Sequence, residues 1–554
     1  MDAARSTYRP TKPELAVFVS GVASMGLEIL AGRIVAPQFG SSIYTWGSII
    51  TVFLAALSLG YWQGGKRASR ATVRRLTWLL LATAAYVAVV VYAGDLLVRV
   101  SATLPLPPRY ASLPAVIALF GPPTYLLGFI SPYAAELSTK EGIGEASGHV
   151  YALGTIGSIV GAGATTYFLI PALDIDGIGL LFGLLLVGTA VATALPSPDR
   201  EPAVASVLVA LLLVGAVFGG SVGFDPRGDV VYQTQTPYQE LEVIDDGDVR
   251  TLYLDGSRHS ATDLDDPDRH VFAYTRYFHL AMLMHENPEE VDRVLFIGGG
   301  GYTGPQDFER RYDVTVDVVE IDPEVTETAE TYFGLDRADD DLRVHTADGR
   351  RFLAESDETY DVIVLDAYKQ DQVPFHLTTA EFMELTESRL SEDGVLLANV
   401  ISAPSGPASE FYRAQYATAA AAYPQVYAFR TSESSSIQNV ELVATKDETR
   451  LSETDLAERN ANGHLPTDID LADEVDGYLA EPETDDVPVL RDDRAPVDSL
   501  LDPMMGQRYV IEETHDGGDA SDSDPEPDPA IAPPAPLAVD AAPARTAAAG
   551  AVAP

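Results

Sequence analysis

Seven long apolar stretches in the first 220 residues constrain the fold of this chain more than any other feature. They lie at about 14–36, 43–64, 76–98, 112–133, 148–170, 177–196 and 203–220. Each is close to the length that crosses a bilayer, and each must be a helix because lipid offers no partner for backbone polar groups. The first stretch is too long for a cleavable signal peptide. The sequence predicts an α-helical multi-pass transmembrane domain over residues 1–220, with about seven helices.

Glu28 and Arg33 are ionisable residues in the interior of the first apolar stretch. Charged groups within a span are costly and often functional. The two residues are separated by about 140° around a helix, so we expect them to meet different partners. A transport or substrate role for Glu28 is one interpretation, and Arg33 could reach the membrane interface with its long side chain.

Nearly all of the net charge of −46 follows residue 220. Residues 1–220 hold 11 acidic and 13 basic side chains, whereas the remainder holds 71 acidic and 23 basic ones. At molar salt the Debye length falls to about 3 Å, so such a surface is tolerated there. We therefore predict a halophilic protein from an acidic proteome; an acidic protein with a cationic substrate is the alternative. Nucleic acid is not an expected partner, because no basic face could neutralise phosphates.

The chain has no cysteine, which excludes disulfides and Cys-ligated metal centres. Its nine histidines show no spacing typical of metal ligands. No metal is therefore expected.

The second half predicts an α/β domain. Three short strand-like runs predict a small β-domain over residues 221–265, and alternating strand and helix patterns predict a Rossmann-like parallel sheet over 266–450. The runs at 425–430 and 440–445 are predicted to form an antiparallel hairpin at the sheet edge. An acidic C-terminal extension follows at 451–511, and 512–554 reads as a disordered tail rich in Asp, Pro and Ala.

The stretch "VLFIGGGG" ends the first parallel strand with Gly298, Gly299 and Gly300. Glycines there let a ligand approach the backbone at the carboxyl edge of the sheet. Acids follow the next three strands at Glu320, Asp348 and Asp366. Their convergence favours a nucleoside ligand whose ribose hydroxyls Glu320 would bind, and disfavours a phosphate.

Six motifs, "TPYQELEV", "LYLDG", "VLFIGGGG", "VVEID", "ADGRRFL" and "YDVIVLDAY", followed by "EDGVLLANV", resemble the spermidine synthase (polyamine aminopropyltransferase) family, most closely its membrane-fused branch. The resemblance covers roughly residues 230–445. It implies a methyltransferase-like Rossmann fold behind the small β-domain, with S-adenosylmethionine or decarboxylated S-adenosylmethionine as co-substrate.

By the same resemblance, Asp366 is the catalytic base, and the co-substrate is bound by Gln239 at its tail, Glu320 at the ribose and Asp348 at the adenine. The glycines Gly298, Gly299, Gly300 and Gly349 complete that site, and the residues assigned to the substrate are Tyr238, Tyr274 and Asp371.

Several positions depart from the family pattern. Gly301 and Lys369 stand where the family has acids, His259 replaces a glutamine, and Thr275 and Arg276 replace a His-Glu pair. Each change removes negative charge or adds positive charge near a site for a cation, where repulsion at 4 Å costs about 4 kcal/mol. Asp371 would be the residue to compensate for Lys369.

The leading hypothesis is a membrane-anchored transferase that aminopropylates an amine. One alternative is an S-adenosylmethionine-dependent methyltransferase acting on a membrane-delivered acceptor; another is a transporter or sensor with a nucleoside-binding domain. The expected partners are a small-molecule amine and the lipid bilayer, and a homodimer stays an open alternative.

Two arguments about the orientation in the cell membrane contradict each other. Basic residues before the first span and in segment 66–75 should be cytoplasmic, and seven crossings would then place the soluble domain outside. The co-substrate is a cytosolic metabolite, so we expect a cytoplasmic soluble domain and one predicted span that does not cross fully.

Overall fold

The structure, a computed structural model, describes residues 11–40, 42–138, 142–195, 200–220, 227–370, 372–505 and 507–514. Within these residues, seven helical spans are long and apolar enough to cross a membrane. Their helices are α1 (Lys12–Phe39), α2 (Ile43–Arg67), α3 (Val73–Ala102), α4 (Leu113–Gly128), α5 (Ile130–Glu136), α6 (Ile143–Ala164), α7 (Ile175–Ala194) and α8 (Arg200–Gly220). Helices α4 and α5 together form the fourth span.

The fourth span is interrupted at Phe129. Pro132 has no N–H to donate to the carbonyl of Gly128, four residues earlier, and its ring crowds that carbonyl. The helix therefore ends at Gly128 and restarts at Ile130, whereas Pro122 and Pro123 lie within α4.

Helices α1 and α6 pack closely through glycines. A Cβ on Gly157 would lie 2.2 Å from the carbonyl oxygen of Phe18, and one on Gly161 would lie 2.3 Å from that of Val22. Only small residues allow two membrane helices to approach this closely. The "GSIVG" segment at 157–161 is thus explained by helix packing.

A small antiparallel sheet follows the bundle, in the order β1 (Asp229–Gln235), β2 (Glu240–Asp246), β3 (Val249–Leu254) and β4 (Ser257–Asp263). The turn from β3 to β4 is Asp255-Gly256, and both residues have positive φ angles, 52° and 77°. An Asp-Gly pair suits such a tight hairpin turn.

The larger sheet has seven strands in the order β10-β11-β9-β8-β5-β6-β7. They are β5 (Arg293–Ile297), β6 (Thr315–Glu320), β7 (Leu342–Thr346), β8 (Tyr360–Leu365), β9 (Leu390–Ser402), β10 (Gln425–Arg430) and β11 (Gln438–Thr445). β11 lies between β9 and β10 and runs antiparallel to both, and the other neighbouring pairs among the described strands are parallel. This is a methyltransferase-like Rossmann sheet, and the predicted edge hairpin is confirmed.

Helices cover both faces of this sheet. The chain order includes α9 (Tyr274–Tyr277), α10 (Leu280–Met284), α11 (Thr303–Arg311), α12 (Pro323–Tyr332), α13 (Gly349–Glu355), α14 (Ala380–Arg389) and α15 (Glu410–Ala419). Along β5, Val294 and Phe296 face one apolar core, while Leu295 and Ile297 face the other. Burial on both faces explains why the central strands are continuous apolar runs.

The C-terminal extension packs on this domain with α16 (Glu453–Ala461), α17 (Ala472–Asp476) and α18 (Val497–Leu501). Its last described residues pair with the domain, because Tyr509 bridges to Ile437 and Glu513 to Phe272. This pairing extends past residue 511, the predicted end of the extension, into the first residues of the predicted tail. Residues 515–554, the rest of the predicted tail, lie outside the described residues.

The two ends of the helix bundle differ. The start of α3 meets the start of α8 through an ion pair between Arg74 and Glu201, and Lys12 at the start of α1 donates to the carbonyl of Leu195 at the end of α7. Near the other end of α1, Arg33 bonds to Thr236 beside the small sheet. The basic segment 66–75 and the soluble domain therefore lie at opposite ends of the bundle.

Candidate active site

A cavity opens at the carboxyl edge of the large sheet, against the small sheet. Its empty volume, including the open mouth, is about 1220 Å³. The predicted site residues that line it are Gln239, Tyr274, Gly298, Gly300, Glu320, Asp348, Gly349 and Asp366. Tyr238 lies outside this lining with half its surface exposed, and Asp371 lies outside the described residues. The three acids at successive strand ends therefore do meet in one cavity.

The glycine turn after β5 is shaped by close backbone approach. Gly298 has a φ of 102°, and a Cβ there would lie 2.1 Å from the carbonyl oxygen of Asp366. Gly300 also has a positive φ, 50°. Gly299 is not among the cavity-lining residues; its N–H donates to Glu320 over 2.9 Å. Gly298 and Gly300 thus border the ligand space, and Gly299 supports an acid that lines it.

Glu320 is held by two backbone donors. Its Oε2 accepts from the N–H of Gly299, and its Oε1 accepts from the N–H of Asp322 over 2.8 Å. Burial raises the pKa of this carboxyl, and the two backbone N–H groups act in the opposite direction. Each oxygen keeps a second acceptor site, so the carboxylate can still receive a pair of hydroxyl groups.

Asp348 is fixed by two contacts of its own. It caps α13 by accepting from the N–H of Arg351 over 2.9 Å, and its other oxygen lies 2.9 Å from Nε2 of His376. His376 also lines the cavity. The capping contact accounts for an Asp at this position, and its predicted role toward an adenine stays a prediction.

Asp366 stands at the end of β8 in a directional hydrogen-bond chain. Tyr509 donates its hydroxyl to Oδ1 of Asn439, Asn439 donates to Oδ1 of Asn399, and Asn399 donates to Oδ1 of Asp366, each over 2.8 Å. Among the described residues, Oδ2 of Asp366 accepts no hydrogen bond. Burial raises the pKa of Asp366 to about 6, against a smaller lowering by Asn399. The result is a cavity-lining carboxyl with one oxygen fixed and a pKa near that of an effective base.

Sequence reasoning missed three members of this chain. Asn399, Asn439 and Tyr509 line the cavity, and Tyr509 comes from the C-terminal extension. The apolar run "YVI" at 509–511, after a long acidic stretch, was the available signal of a segment that returns to the domain. The extension therefore closes one side of the site.

A second buried carboxyl, Glu441, lies across from Asn399 in the pairing of β11 with β9. Its side chain is fully buried, and within the described chain neither carboxylate oxygen has a hydrogen-bond partner. Burial, and then the nearby charge of Asp366, raises its pKa well above the ordinary value. A lone Glu in the apolar strand "NVELVAT" was the sequence signal for this group.

The space beside Gly301 is filled. A Cβ at Gly301 would lie 2.8 Å from Cβ of Ser260 and 3.2 Å from the ring of Phe333. The hydroxyl of Ser260 accepts from the N–H of Gly301 over 2.9 Å. An acid at this position would need Ser260 to move, which gives the missing carboxylate a steric reason.

Lys369 lines the cavity, but it is paired. Its Nζ lies 2.9 Å from Oδ2 of Asp255 in the turn between β3 and β4. The predicted compensation by Asp371 lies outside the described residues, and the partner that the structure provides is Asp255. The positive charge of Lys369 is thus balanced within the site.

Arg276 does not add charge to the cavity, contrary to expectation. It is not among the lining residues, and its Nε lies 2.5 Å from Glu474 of α17 in the C-terminal extension. His259 does line the cavity, but burial, followed by the charge of Lys369, lowers its pKa to about 4. At neutral pH this imidazole is therefore uncharged.

A second cluster joins His270, His279 and Asp307 behind the glycine turn, with the three ligand-type atoms within 4.8 Å of one another. The Nε2 atoms of His270 and His279 lie 3.4 and 3.1 Å from Oδ2 of Asp307. Arg311 already donates to both oxygens of Asp307, over 2.8 and 3.0 Å. The guanidinium balances this carboxylate, so we interpret the cluster as a buried ionic network.

Known proteins share this domain. Residues 271–422 match the family described as the spermine/spermidine synthase domain. A polyamine aminopropyltransferase of Vibrio vulnificus is 32% identical over 233 residues, which cover 40% of this chain and 74% of that protein. The chain belongs to the spermidine synthase (polyamine aminopropyltransferase) family.

A second relative and one solved structure are also similar to this chain. Polyamine aminopropyltransferase 1 of Aquifex aeolicus is 31% identical over 179 residues, covering 31% of this chain and 61% of that protein. The crystal structure of spermidine synthase from Thermotoga maritima aligns with 20% identity over 48% of this chain and 89% of that chain, with a TM-score of 0.37. The polyamine aminopropyltransferase relatives indicate that this chain is a transferase of the spermidine synthase type.

Proposed function

We propose that this chain is a membrane-anchored aminopropyltransferase that uses decarboxylated S-adenosylmethionine to alkylate an amine. The observation that carries the proposal is Asp366, a partly buried, cavity-lining carboxyl with a pKa of about 6 and one oxygen without a partner among the described residues. Such a group is suited to take a proton from an amine at the moment of attack.

The step balances without a metal. The donor supplies a carbon activated by the neighbouring sulfonium. The amine nitrogen bonds to that carbon, the carbon–sulfur bond breaks, and its electron pair stays on sulfur to give a neutral thioether. The proton lost by the amine moves to Oδ2 of Asp366, while Asn399 holds Oδ1. Positioning of the two reactants is then the main requirement.

The charges around the cavity support a cationic substrate. Lys369 is paired with Asp255, Arg276 is turned toward Glu474, and His259 is neutral above a pH of about 4. None of these three departures from the family pattern leaves an unbalanced positive charge facing the ligand. Coulomb repulsion of the kind that we expected from the sequence is therefore absent at these positions.

The donor would lie across the strand ends, with Gln239 at its tail, Glu320 at the ribose and Asp348 at the adenine. Support comes from the placement of all three in the cavity lining and from the two backbone donors that fix Glu320.

The test uses the full chain in lipid vesicles at molar KCl, incubated with decarboxylated S-adenosylmethionine and a panel of amines. We expect an aminopropylated amine and an equal amount of the thioether by mass spectrometry. Asp366→Asn should lower kcat by about 10²–10⁴-fold and leave donor binding within twofold. Unchanged turnover in this variant would remove Asp366 from the role of base.

One observation favours a second candidate, a methyltransferase. Intact S-adenosylmethionine carries a carboxylate, and Gly301 places no acid in the glycine turn that would repel it. Calorimetric titration with the intact and decarboxylated donors separates the two proposals. Tighter binding of the intact donor, with a methylated product, would establish the methyltransferase instead.

A further inference from the structure

The turn that presents Gln239 to the cavity is organised around Thr236. The hydroxyl oxygen of Thr236 accepts from the N–H groups of Tyr238 and Gln239, each over 3.0 Å, and the N–H of Thr236 donates to the carbonyl of Gln239 over 2.8 Å. Thr236 and Gln239 are both buried. We call residues 236–239 the donor-site turn.

The donor-site turn is linked to the acid predicted to bind the ribose. Thr236 donates its hydroxyl to Oδ2 of Asp322 over 2.6 Å, and the N–H of Asp322 donates to Oε1 of Glu320 over 2.8 Å. Asp322 is fully buried and also caps α12. A shift of Thr236 would therefore move both Gln239 and the support of Glu320.

A membrane helix holds this turn from the other side. Nη2 of Arg33, in α1, donates to the carbonyl oxygens of Thr236 and Pro237, each over 2.9 Å. The guanidinium also lies in the field of three carboxylates, Asp255, Glu240 and Asp322. These contacts give an ionisable residue of the first span a function that requires its charge and its planar donors.

We propose that Arg33 is a positioning residue for the donor site, so that the first membrane helix forms part of the enzyme. Arg33 holds the donor-site turn in the conformation that presents Gln239 and, through Thr236 and Asp322, fixes Glu320. This proposal rests on the proposed function for its readout. It assigns to the membrane half a role in catalysis as well as attachment.

The experiment compares full-length wild type, Arg33→Gln and Arg33→Lys in lipid vesicles at molar KCl. Loss of charge-assisted hydrogen bonds should raise the KM for the donor by about tenfold or more in Arg33→Gln. The kcat at saturating donor and the KM for the amine should stay within twofold. Arg33→Lys should recover part of the loss, because an ammonium can also donate to the two carbonyls.

Two controls separate positioning from general damage. Arg99→Gln removes an exposed arginine in the last turn of α3 and should leave every parameter unchanged. Thr236→Val breaks the same link from the soluble side, so the double variant with Arg33→Gln should raise the donor KM no more than the larger single change does. Fully additive effects would contradict a shared path.

An unchanged donor KM in Arg33→Gln overturns the proposal, as does a fall in kcat with a matching fall in melting temperature and no change in KM. Direct titration with the thioether product keeps the test independent of turnover. Weaker thioether binding in Arg33→Gln, together with no transfer activity in wild type, would retain the positioning role and reject the proposed function.

Discussion

The two halves of this chain differ in charge and in the way their elements pack. The first half, which we call the membrane half because we propose that its seven apolar helical spans cross the bilayer, is close to neutral, with 11 acidic and 13 basic residues. In it, α1 meets α6 through glycines at backbone contact. The soluble half holds 71 acidic and 23 basic residues around two apolar cores. In lipid the hydrophobic effect does not drive helices together, so close packing must stabilise their association. In water the hydrophobic effect stabilises the apolar cores, but the acidic side chains on the surface repel one another.

The comparison also shows where charge is allowed inside each half. In the soluble half, the buried Glu320 and the partly buried Asp366 lie at strand ends with backbone or amide donors. In the membrane half, Arg33 reaches out of its span to two carbonyls of the soluble half. Arg33 contacts the donor-site turn, and Gln239 of that turn lines the cavity, so the charge in the first half is connected to the site through one turn.

The largest expected effect concerns the sides of the membrane on which the two halves lie. It is measured by labelling of an introduced cysteine, which should be complete on one side and absent on the other. The chain has no cysteine, so Ser69→Cys and Ser435→Cys each create a single exposed thiol, at the basic end of the bundle and in the soluble domain. The positive-inside rule with seven crossings predicts that a membrane-impermeant maleimide labels Ser435→Cys in intact cells and spares Ser69→Cys. The reverse pattern would place the soluble domain in the cytoplasm, as a cytosolic donor requires.

The second largest effect is the response to dilution of salt, which should differ between the two halves. Lowering KCl from molar to about 0.1 M lengthens the Debye length from about 3 to about 10 Å. We expect the soluble half to lose its tertiary structure while the membrane helices keep their helicity, as followed by near-UV and far-UV circular dichroism. Matching LiCl and KCl series would control for specific ion binding, and a soluble half that stays folded in dilute buffer would contradict the salt-adapted interpretation.

The next effect is the pH dependence of kcat, which should change about tenfold per pH unit below the pKa of Asp366. Burial raises the pKa of Asp366 to about 6, so the carboxyl is protonated and inactive below that pH and ionised above it. We expect kcat to rise through about pH 6 and level off. His259→Asn is the matched control, because His259 has a pKa of about 4 and is neutral over this range. If the midpoint of the kcat profile shifts in His259→Asn, the titration belongs to His259 and the assignment to Asp366 is wrong.

The sequence predicts the elements and the strand-end acids of these regions, but not the contacts between distant segments. Apolar length, strand alternation and the "GGGG" turn predicted both halves and the convergence of Glu320, Asp348 and Asp366, because these depend on local pattern and on the shared carboxyl edge. The partners of Lys369 and Arg276 could not be predicted. Asp255 and Glu474 are distant in sequence, and only the packing of the small sheet and the extension brings them near. The reach of Tyr509 into the site was missed for the same reason.

The smallest expected effect concerns the family acid that this chain lacks. Gly301→Asp should destabilise the soluble half by about 1–3 kcal/mol, because its Cβ would overlap Ser260 at 2.8 Å in a packed site. Ser260→Gly in the same chain removes the overlapping atoms and should recover part of that stability, whereas Ser260→Ala keeps Cβ and should not. Urea unfolding at molar KCl compares wild type, Gly301→Asp alone and the two double variants. Full stability of the single variant would show that the site relaxes freely, and the absence of the acid would then need a reason in substrate binding instead of in packing.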